Sequence, residues 1–319
     1  MLIYNIQSLT NKKEEAHNEL EHRQADIGLF TEARLRPHEE GESNAEGESY
    51  TFLNAATTIR GVAGVSLAIK KTLRHALKDW GTVKDRIIWA DFAVGKIAFR
   101  FIGVYFPTAR EKYQKKSQKL YEKLQKLCQK GTVFLAGDFN ARLPVAARDC
   151  QWGRFGNCHV QLENKNSKLL TEFCRETGFK SLASKFRKNS HGYATWRHPN
   201  PKVTRWHHQI DHFLCRQTTA NSATDCRVIH DAIPQSDHKP LLISIDIKAW
   251  KWFPRVPPQK MTMIFTREKE KLKDYNEKVR EGRNEGVTIK EAITNAAEAT
   301  FRCQAPSEKY AELANKMPV

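Results

Sequence analysis

Residues 133–140 read Val-Phe-Leu-Ala-Gly-Asp-Phe-Asn, and this stretch is the strongest local signal in the chain. Its apolar first half predicts a buried strand that ends at Gly137. Asp138 and Asn140 stand two residues apart at that end, so their side chains can reach into one site. Gly, Asp and Asn are also the residues of ordinary turns. The stretch therefore indicates either a polar site or a plain strand-to-turn junction.

Short apolar runs elsewhere in the chain also predict buried strands. They cover residues 2–6, 27–31, 62–69, 87–94, 97–105, 210–215 and 241–247. Gly95 and Lys96 separate two of these runs, which predicts a two-residue hairpin between antiparallel neighbours. Helical periodicity covers residues 12–23, 110–130 and 168–177. Strands mixed with helices in this way predict an α/β fold with mixed sheets rather than a purely parallel sheet.

The chain is strongly basic, with 319 residues and a formal net charge of +17. An excess of Lys and Arg favours a polyanionic partner, which is most often nucleic acid and less often an acidic membrane surface. From residue 248 onward Lys and Arg outnumber Asp and Glu by 5, so +12 of the charge falls on residues 1–247. A basic surface that is merely solvated is the alternative.

Cysteine usage and hydropathy exclude several classes of protein. The seven cysteines are odd in number and form no CxxC pair, which argues against a disulfide framework or a structural zinc site. No signal peptide is visible, and no apolar run approaches the ~20 residues that a membrane helix needs. These features favour reduced thiols in an intracellular, nuclear protein without membrane association.

Composition shifts near residue 248, which predicts two parts. Residues 1–247 carry the predicted strands, whereas residues 248–261 are rich in Trp and Pro and predict a linker. Residues 266–286 are dense in charge, and an apolar stripe at helical spacing predicts a helix over residues 288–301. We therefore expect a domain over 1–247 and a linker with a mostly helical tail over 248–319.

Other polar residues border or interrupt the predicted strands. Ser236-Asp237-His238 precedes the last strand, and Asp can bind a metal while His can donate to a phosphate oxygen. Taken alone, this tripeptide is explained more simply by a surface turn. Asp211 lies within an apolar strand, where an unpaired carboxylate is costly, so it needs a partner such as a His, a metal or a nearby Arg.

Taken together in chain order, these pieces resemble the endonuclease/exonuclease/phosphatase (DNase I-like) superfamily over residues 1–247. The pieces are Asn5, Glu32, Tyr105-Phe106-Pro107, Gly137-Asp138-Phe139-Asn140, Ile210-Asp211-His212-Phe213-Leu214 and Ser236-Asp237-His238. Departures from the commoner pattern are Tyr4 before Asn5, Gln7 at a position that is acidic in some repair relatives, and Thr-Glu-Ala at residues 31–33 instead of Gln-Glu-Thr.

Further stretches resemble the endonuclease domains of non-LTR retrotransposons. They are Asn164-Lys165-Asn166 before Leu169-Leu170 and Phe173-Cys174, and Ala194-Thr195-Trp196 before Gln209-Ile210-Asp211. Residues after 248 resemble the connector to a reverse transcriptase, although no polymerase signature such as [FY]xDD occurs. The resemblance therefore indicates retrotransposon descent rather than retrotransposition as the present function.

The resemblance implies a four-layered α/β sandwich, in which two mixed β-sheets are flanked by helices, with a mostly helical C-terminal tail. It implies DNA as the partner, no obligate protein partner, and one or two divalent cations, Mg²⁺ or else Mn²⁺. It assigns catalysis to Asp138, Asn140, His238, Asp211 and Tyr105, phosphate contacts to Thr195 and Ser236, and metal ligation to Glu32, Asn5 and Asp237.

Within that assignment, Asp138 would orient or deprotonate the attacking water, and His238 would hydrogen-bond the scissile phosphate. The implied activity is a Mg²⁺-dependent endonuclease that hydrolyses DNA phosphodiester bonds and leaves 3′-hydroxyl and 5′-phosphate ends. The alternatives are an abasic-site repair nuclease, a phosphatase of phosphoinositides or small phosphoesters, and a catalytically silent nucleic-acid-binding module.

Overall fold

The structure is a computed structural model that describes residues 1–44, 49–57, 63–129, 131–144, 150–151, 163–188, 190–198, 200, 202, 207–246, 269–284, 295–296 and 299. The chain divides into two compact units, Met1–Trp252 and Phe253–Val319. The predicted linker over 248–261 and nearly all of the predicted helix over 288–301 lie outside the described residues, so both stay predictions. No described helix is both long and apolar enough to cross a membrane.

The described strands are β1 Leu2–Asn5, β2 Ile27–Thr31, β3 Gly41–Asn44, β4 Tyr50–Ala55, β5 Val65–Lys70, β6 Leu77–Val83, β7 Ile87–Val94, β8 Ile97–Tyr105, β9 Thr132–Asp138, β10 Lys180–Ser181, β11 Trp196–Arg197, β12 His207–His208, β13 Asp211–Cys215, β14 Ala223–Val228 and β15 Leu241–Ile245. The described α-helices are α1 Lys13–His22, α2 Gln114–Leu127, α3 Lys165–Thr177, α4 Gln217–Ala220 and α5 Lys269–Asn284. Short 3₁₀ helices cover Pro37–Glu39, Lys71–Ala76, Glu111–Tyr113, Leu182–Lys185 and Ser190–Tyr193.

The described strands build two large mixed sheets and one small pair. The seven-stranded sheet has the order β14-β15-β1-β2-β5-β4-β3, and the six-stranded sheet has the order β10-β13-β9-β8-β7-β6. Only the pairs β1–β2 and β8–β9 are parallel among the described strand pairs of these sheets. The hairpin predicted at residues 95–96 is confirmed, since Val94 pairs with Ile97 across it. Strands β11 and β12 pair separately.

The two sheets pack face to face, and helices cover their outer faces. Ile3 of the seven-stranded sheet and Phe134 of the six-stranded sheet belong to one buried cluster between the sheets. Leu20 of α1 packs on the outer face of the seven-stranded sheet. Leu124 of α2 and Phe173 of α3 pack on the outer face of the six-stranded sheet. The order helix–sheet–sheet–helix confirms the predicted four-layered α/β sandwich.

Sequence reasoning missed several strands, which are β3, β4, β6, β10, β11, β12 and β14. Polar residues break the apolar pattern of these strands. Strand β6 lies at a sheet edge with exposed Lys78 and Asp79. Within β4, buried Asn54 accepts a hydrogen bond from Ser66, so a tertiary contact satisfies the polar side chain.

Two predicted helix boundaries were wrong for identifiable reasons. Helix α3 begins three residues before the predicted start, because the Asn164 side chain caps it by accepting from the Ser167 amide. The helix predicted from residue 110 begins at Gln114, and a 3₁₀ turn precedes it. Helix α5 lies in the charged segment of the tail, which was expected to be mostly helical without a helix being placed at these residues.

Gly137 provides a test of the fold, because its backbone has φ +138° and a Cβ there would lie 2.0 Å from the Val104 carbonyl oxygen. We expect Gly137→Ala to lower the free energy of unfolding by about 3 kcal/mol or more. Chemical denaturation measures the change. Gly95→Ala is the control, since Gly95 has φ +59° and nothing within 4 Å of the added Cβ. It should cost only about 1–2 kcal/mol, because alanine there meets the strain of positive φ but no clash, and equal costs for both variants would contradict the steric argument.

Candidate active site

Strand pairing brings the predicted site residues to one edge of the sandwich. Asn5 is the last residue of β1 and pairs with Thr31, the residue before Glu32. In the other sheet, Asp138 pairs with Tyr105 on one side and with Asp211 on the other. The C-terminal ends of the parallel pairs β1–β2 and β8–β9 thus carry the predicted site residues. Strand β13 begins at Asp211, next to the C-terminal end of β9.

The alternation of side chains along each strand turns these residues toward the space between the sheets. Phe134 contributes to the core between the sheets, and Asp138 follows it on the same face. In β13, Phe213 contributes to that core, so Asp211 shares its face. The neighbouring His212 lies on the opposite face, where its Nε2 is 2.9 Å from the Ala141 carbonyl oxygen and its ring packs against Phe139.

The side-chain amide of Asn5 connects the two sheets. Its Nδ2 donates to Glu32 Oε1 at 3.1 Å and to Asp138 Oδ2 at 3.0 Å, and it lies 3.4 Å from His238 Nε2. Its Oδ1 accepts from the Gln7 amide at 3.3 Å. Asn5 is fully buried, so one nitrogen holds three motifs that are far apart in the sequence.

Hydrogen-bond donors around the Glu32 carboxylate favour its ionised form. Tyr105 Oη donates to its Oε1 at 2.9 Å, and Arg34 donates to its Oε2 at 2.6 Å. Burial opposes ionisation, but the hydrogen bonds from Arg34, Asn5 and Tyr105 outweigh it and hold the pKa of Glu32 below its usual value. Glu32 has φ +50°, a conformation that a non-glycine residue adopts at a cost and that is typical of functional sites.

His238 and Asp211 form a carboxylate–histidine pair, with Nδ1 2.8 Å from Oδ2. Burial of the imidazole opposes its charge, but the nearby carboxylates, Asp211 foremost, raise the pKa of His238 to about 9. The ring is therefore protonated at neutral pH. Its Nδ1 is committed to Asp211, so its Nε2 faces the acids of the other motifs.

Asp138 is fixed by the turn that follows it. The Asn140 amide donates to Asp138 Oδ1 at 2.8 Å, and Asn140 Nδ2 donates to the Phe106 carbonyl oxygen at 3.0 Å. Burial, and then the negative charge of Asp211, raise the pKa of Asp138. Positive charge in the cleft would therefore favour its ionised form.

Thr195 and Ser236, the predicted phosphate contacts, bind backbone groups. The buried Thr195 hydroxyl accepts from the amides of Ile210 and Asp211, both at 3.1 Å. The Ser236 hydroxyl donates to the Asn5 carbonyl oxygen at 2.8 Å and accepts from the amide of His238. Both hydroxyls hold the strand ends in place, and their contact with a phosphate stays a prediction.

An open cleft of about 330 Å³ borders the assembled groups. Glu32, Asp138, Asp237, His238, Asn140 and Trp196 contribute to its lining. Trp196 was not predicted as a site residue, and its Nε1 donates to Asp237 Oδ2 at 3.0 Å. The structure thus brings together every predicted catalytic and metal-binding residue.

The donor set of the cleft fits a cation. Asp211 Oδ1 and Asp237 Oδ1 are buried acceptors that have no hydrogen-bond partner among the described residues. Ligand atoms of Asp138, Asp211 and His238 also lie within 4.8 Å of one another. Carboxylates outnumber cationic side chains here, a surplus that a bound cation would offset.

Several supporting residues carried no recognisable signal in the sequence. Arg34 forms an ion pair with Glu32. Its place two residues after the glutamate in the sequence does not by itself predict this contact. Asn166 donates to the carbonyl oxygens of Pro107 at 2.9 Å and Asn140 at 3.1 Å, which ties α3 to the turn after Asp138. Asn166 belongs to a quoted motif, but its role depends on contacts between distant segments.

Helix α1 and its flanking residues bind the loop 231–235, which precedes His238, through several hydrogen bonds. The buried Glu19 accepts from the Ile233 amide at 2.8 Å and from Arg23 Nε at 2.9 Å. Arg23 also donates to Asp231 Oδ1 at 2.8 Å, and Lys12 Nζ donates to the Gln235 carbonyl oxygen at 2.6 Å. The loop therefore approaches His238 already fixed at several points.

Sequence comparison matches residues 2–238 to the Endonuclease/Exonuclease/phosphatase family. The chain belongs to this family. Craniofacial development protein 2 of Bos taurus is 28% identical over 214 residues, which are 65% of this chain and 34% of that protein. The chain thus spans about a third of the length of this relative. The superfamily inferred from the motifs is confirmed.

Solved structures share the fold of this family member at low identity. An AP endonuclease from Leishmania major has a TM-score of 0.59 and 14% identity, and the match covers 77% of this chain and 86% of that one. The endonuclease domain of TRAS1, a telomere-specific non-LTR retrotransposon, has a TM-score of 0.53 and 15% identity, covering 77% and 97%. These likenesses establish the architecture.

The pairing of Asp211 with His238 can be tested by titration. Asp211→Asn removes the largest of the negative charges that raise the imidazole pKa and leaves the burial that lowers it. The pKa of His238 should therefore fall clearly below about 9, while the charges of Asp138 and Asp237 still raise it. In the wild type this pair stabilises the fold fully below about pH 6.5, and the stabilisation is lost as pH rises through about 9. NMR titration of the ring measures the pKa, and Asp225→Asn is the surface control. A ring that still titrates near 9 in the Asp211 variant contradicts the assignment.

The hydrogen bonds of Glu19 to the loop before His238 can be tested with Glu19→Gln. A glutamine has only one acceptor oxygen, and the cationic Arg23 retains it, so the Ile233 amide faces the side-chain NH₂ group and loses its partner. We expect amide exchange at Ile233 to accelerate about 10-fold or more, since an unmade buried hydrogen bond costs roughly 1–3 kcal/mol. Hydrogen exchange by NMR measures this, with the exposed Glu14→Gln as control. Equal protection of the Ile233 amide in both variants would contradict its hydrogen bond to Glu19.

Proposed function

We propose that this family member is a Mg²⁺-dependent endonuclease that hydrolyses DNA phosphodiester bonds and leaves 3′-hydroxyl and 5′-phosphate ends. One observation carries the proposal: the Asn5 amide lies within hydrogen-bond distance of Glu32, Asp138 and His238. A metal-binding carboxylate, a second acid and a protonated imidazole in one cleft are the groups that phosphodiester hydrolysis requires.

Glu32 is the proposed principal metal ligand, supported by Asp237 and Asn5. Mg²⁺ prefers oxygen ligands and needs few of them from the protein, because it retains water. Asn5 would ligate only through Oδ1, and turning its carboxamide over for that purpose would exchange its Nδ2 hydrogen bonds to Glu32 and Asp138 for contact with the ion. When bound, Mg²⁺ would supply positive charge that offsets the charge developing on the phosphate.

The buried trio Asp138, Asp211 and His238 has a different proposed role. Imidazole nitrogen suits zinc or copper better than magnesium, and His238 Nδ1 is already bound to Asp211. The trio therefore serves proton transfer and phosphate binding in our proposal. The Mg²⁺ ion would lie on the side of Glu32.

The chain's own groups suit each part of the displacement. Asp138, held by Asn140, takes a proton as the water oxygen bonds to phosphorus. The bond from phosphorus to O3′ breaks, and O3′ takes a proton from solvent water to give the 3′-hydroxyl end, while Asp138 returns its proton to solvent. His238 donates a hydrogen bond from Nε2 to a non-bridging phosphate oxygen, and Asp211 keeps the ring oriented. Tyr105 offers a hydroxyl beside Glu32 for contact with the same phosphate.

Charge supports DNA as the substrate, since +12 of the net charge falls on residues 1–247. The similar TRAS1 domain supports descent from a non-LTR retrotransposon. The similar AP endonuclease from Leishmania major supports abasic-site cleavage as a second candidate activity. A nuclear location and action without an obligate protein partner complete the proposal.

Nicking of a supercoiled plasmid tests the activity. Wild type should nick in Mg²⁺ and lose activity in EDTA, and Asp138→Ala or His238→Ala should reduce the rate at least about 100-fold. Asp79→Ala on the exposed edge strand is the matched control and should nick normally. Ligation and polymerase extension of the products identify the ends. Wild-type rates in both site variants would sink the proposal.

A duplex that contains one abasic site separates the competing functions. Comparable cleavage of intact and abasic duplex supports the general endonuclease. A preference of about 100-fold or more for the abasic duplex would assign repair instead. Tight DNA binding without any Mg²⁺-dependent cleavage would identify a silent binding module.

A further inference from the structure

Helix α2 has to run from the candidate active site to the opposite edge of the sandwich. Strand β8 ends at Tyr105 beside the site, whereas β9 begins at Thr132, which pairs with Phe99 near the other end of β8. The two strands are parallel, so the connection between them returns across the full sheet. Any side-chain pattern along α2 therefore marks a path that leads away from the site.

Lysines occupy one flank of this helix. The buried face of α2 consists of Ser117, Leu120, Tyr121 and Leu124. Beside it, Lys116, Lys119, Lys123 and Lys126 recur at spacings of three and four residues, which places them in one row. All four are exposed.

The other flank of α2 is occupied by α3. Gln114 donates to Asn166 of that helix, and Gln125 contacts Glu176. The lysine row therefore lies on the side that α3 leaves open. Lysines elsewhere on α2 are limited to Lys115, and Glu122 is its only acid.

The four lysines have no ion-pair partner among the described residues. Lys116 and Lys119, and likewise Lys119 and Lys123, stand at spacings where like charges repel and destabilise a helix. A helix face that serves only solubility mixes both signs of charge. An anionic partner would offset this repulsion.

The row begins close to the candidate active site. Partial desolvation, and then the charge of the nearby Arg86, lower the pKa of Lys116, and the charge of Asp85 opposes this shift. The Arg86 guanidinium lies 4.6 Å from the centre of the Tyr105 ring. The first lysine of the row therefore lies near the buried Arg86, which contacts Tyr105 of the candidate site and has Asp85 at 3.8 Å.

We propose that Lys116, Lys119, Lys123 and Lys126 form a track that binds the phosphate backbone of a single nucleic-acid strand leaving the candidate active site. The proposal rests on the proposed function for the origin of the strand. The row runs over ten helical rises, from Lys116 to Lys126, or ~15 Å of helix. A nucleic-acid strand that follows this length would bring several successive phosphates within reach of the four lysines.

A single strand suits the track better than a duplex. The row follows the side of the domain, whereas the cleft opens at its edge. A duplex is stiff over ~50 nm and would have to bend sharply to occupy both. A flexible single strand can turn from the cleft onto the helix.

The test measures strand binding by the full chain in EDTA, where cleavage does not interfere. A variant with K116Q, K119Q, K123Q and K126Q keeps residues that favour a helix and removes four charges. The control variant carries K78Q, K96Q, K168Q and K180Q, the same charge loss at other surface positions. Fluorescence anisotropy compares a 20-nucleotide DNA strand, the matching RNA strand and the matching duplex over a series of salt concentrations, and thermal melting checks folding.

We expect the track variant to bind a single strand about 10-fold or more weakly, with the slope of log affinity against log salt reduced by about 3. The control variant should change little. Loss with DNA, with RNA or with both supports the track and identifies which strand it carries. Equal loss in both variants, no loss, or loss confined to the duplex would overturn the proposal. Plasmid nicking is scored separately, so an inactive wild type would sink the proposed function and leave the strand-binding result to decide the track.

Discussion

The side-chain amide of Asn5 links the two sheets, and the rest of the site depends on that contact. Asn5 belongs to the seven-stranded sheet, whereas Asp138 belongs to the six-stranded sheet, and they meet at 3.0 Å. Packed sheets normally stand about 10 Å apart, so the side chains at their edge can meet only if the core between them sets the spacing. The apolar cluster between the sheets thus serves the chemistry at its end. Buried acids at that edge persist because each receives donors.

Much of the fold and of the site could be predicted because strand ends carry a readable pattern. Asn5, Glu32, Tyr105 and Asp138 each close or follow an apolar run, and alternation along a strand fixes the face on which such a residue lies. The remainder depends on contacts between distant segments. The pairing of Glu19 with Ile233 joins residues 214 positions apart, and no local pattern encodes it. Whether the Thr195 hydroxyl faces the cleft or the backbone was likewise beyond sequence reasoning.

The molecule separates its charges by position. Acidic side chains converge in the cleft, where burial and hydrogen bonds control their ionisation, whereas lysines are spread over the exposed helix that leads away from it. The first arrangement attracts a cation, and the second attracts a polyanion. A phosphodiester in the cleft would meet both, since its reacting phosphorus needs a cation and its neighbouring phosphates need counter-charges. The position of α2 follows from the parallel pairing of β8 with β9.

Strand β13 places Asp211 and His212 side by side on opposite faces, and this arrangement guards its register during folding. A slip by one residue would exchange the two side chains. The carboxylate would then enter the apolar layer beside Phe139, and the imidazole would lose its bond to the Ala141 carbonyl oxygen. Both errors are costly, so the misaligned strand is disfavoured on chemical grounds even though apolar residues would still fill much of the space. The Asp211 carboxylate that orients His238 thus also disfavours a shifted register of β13 in the sheet.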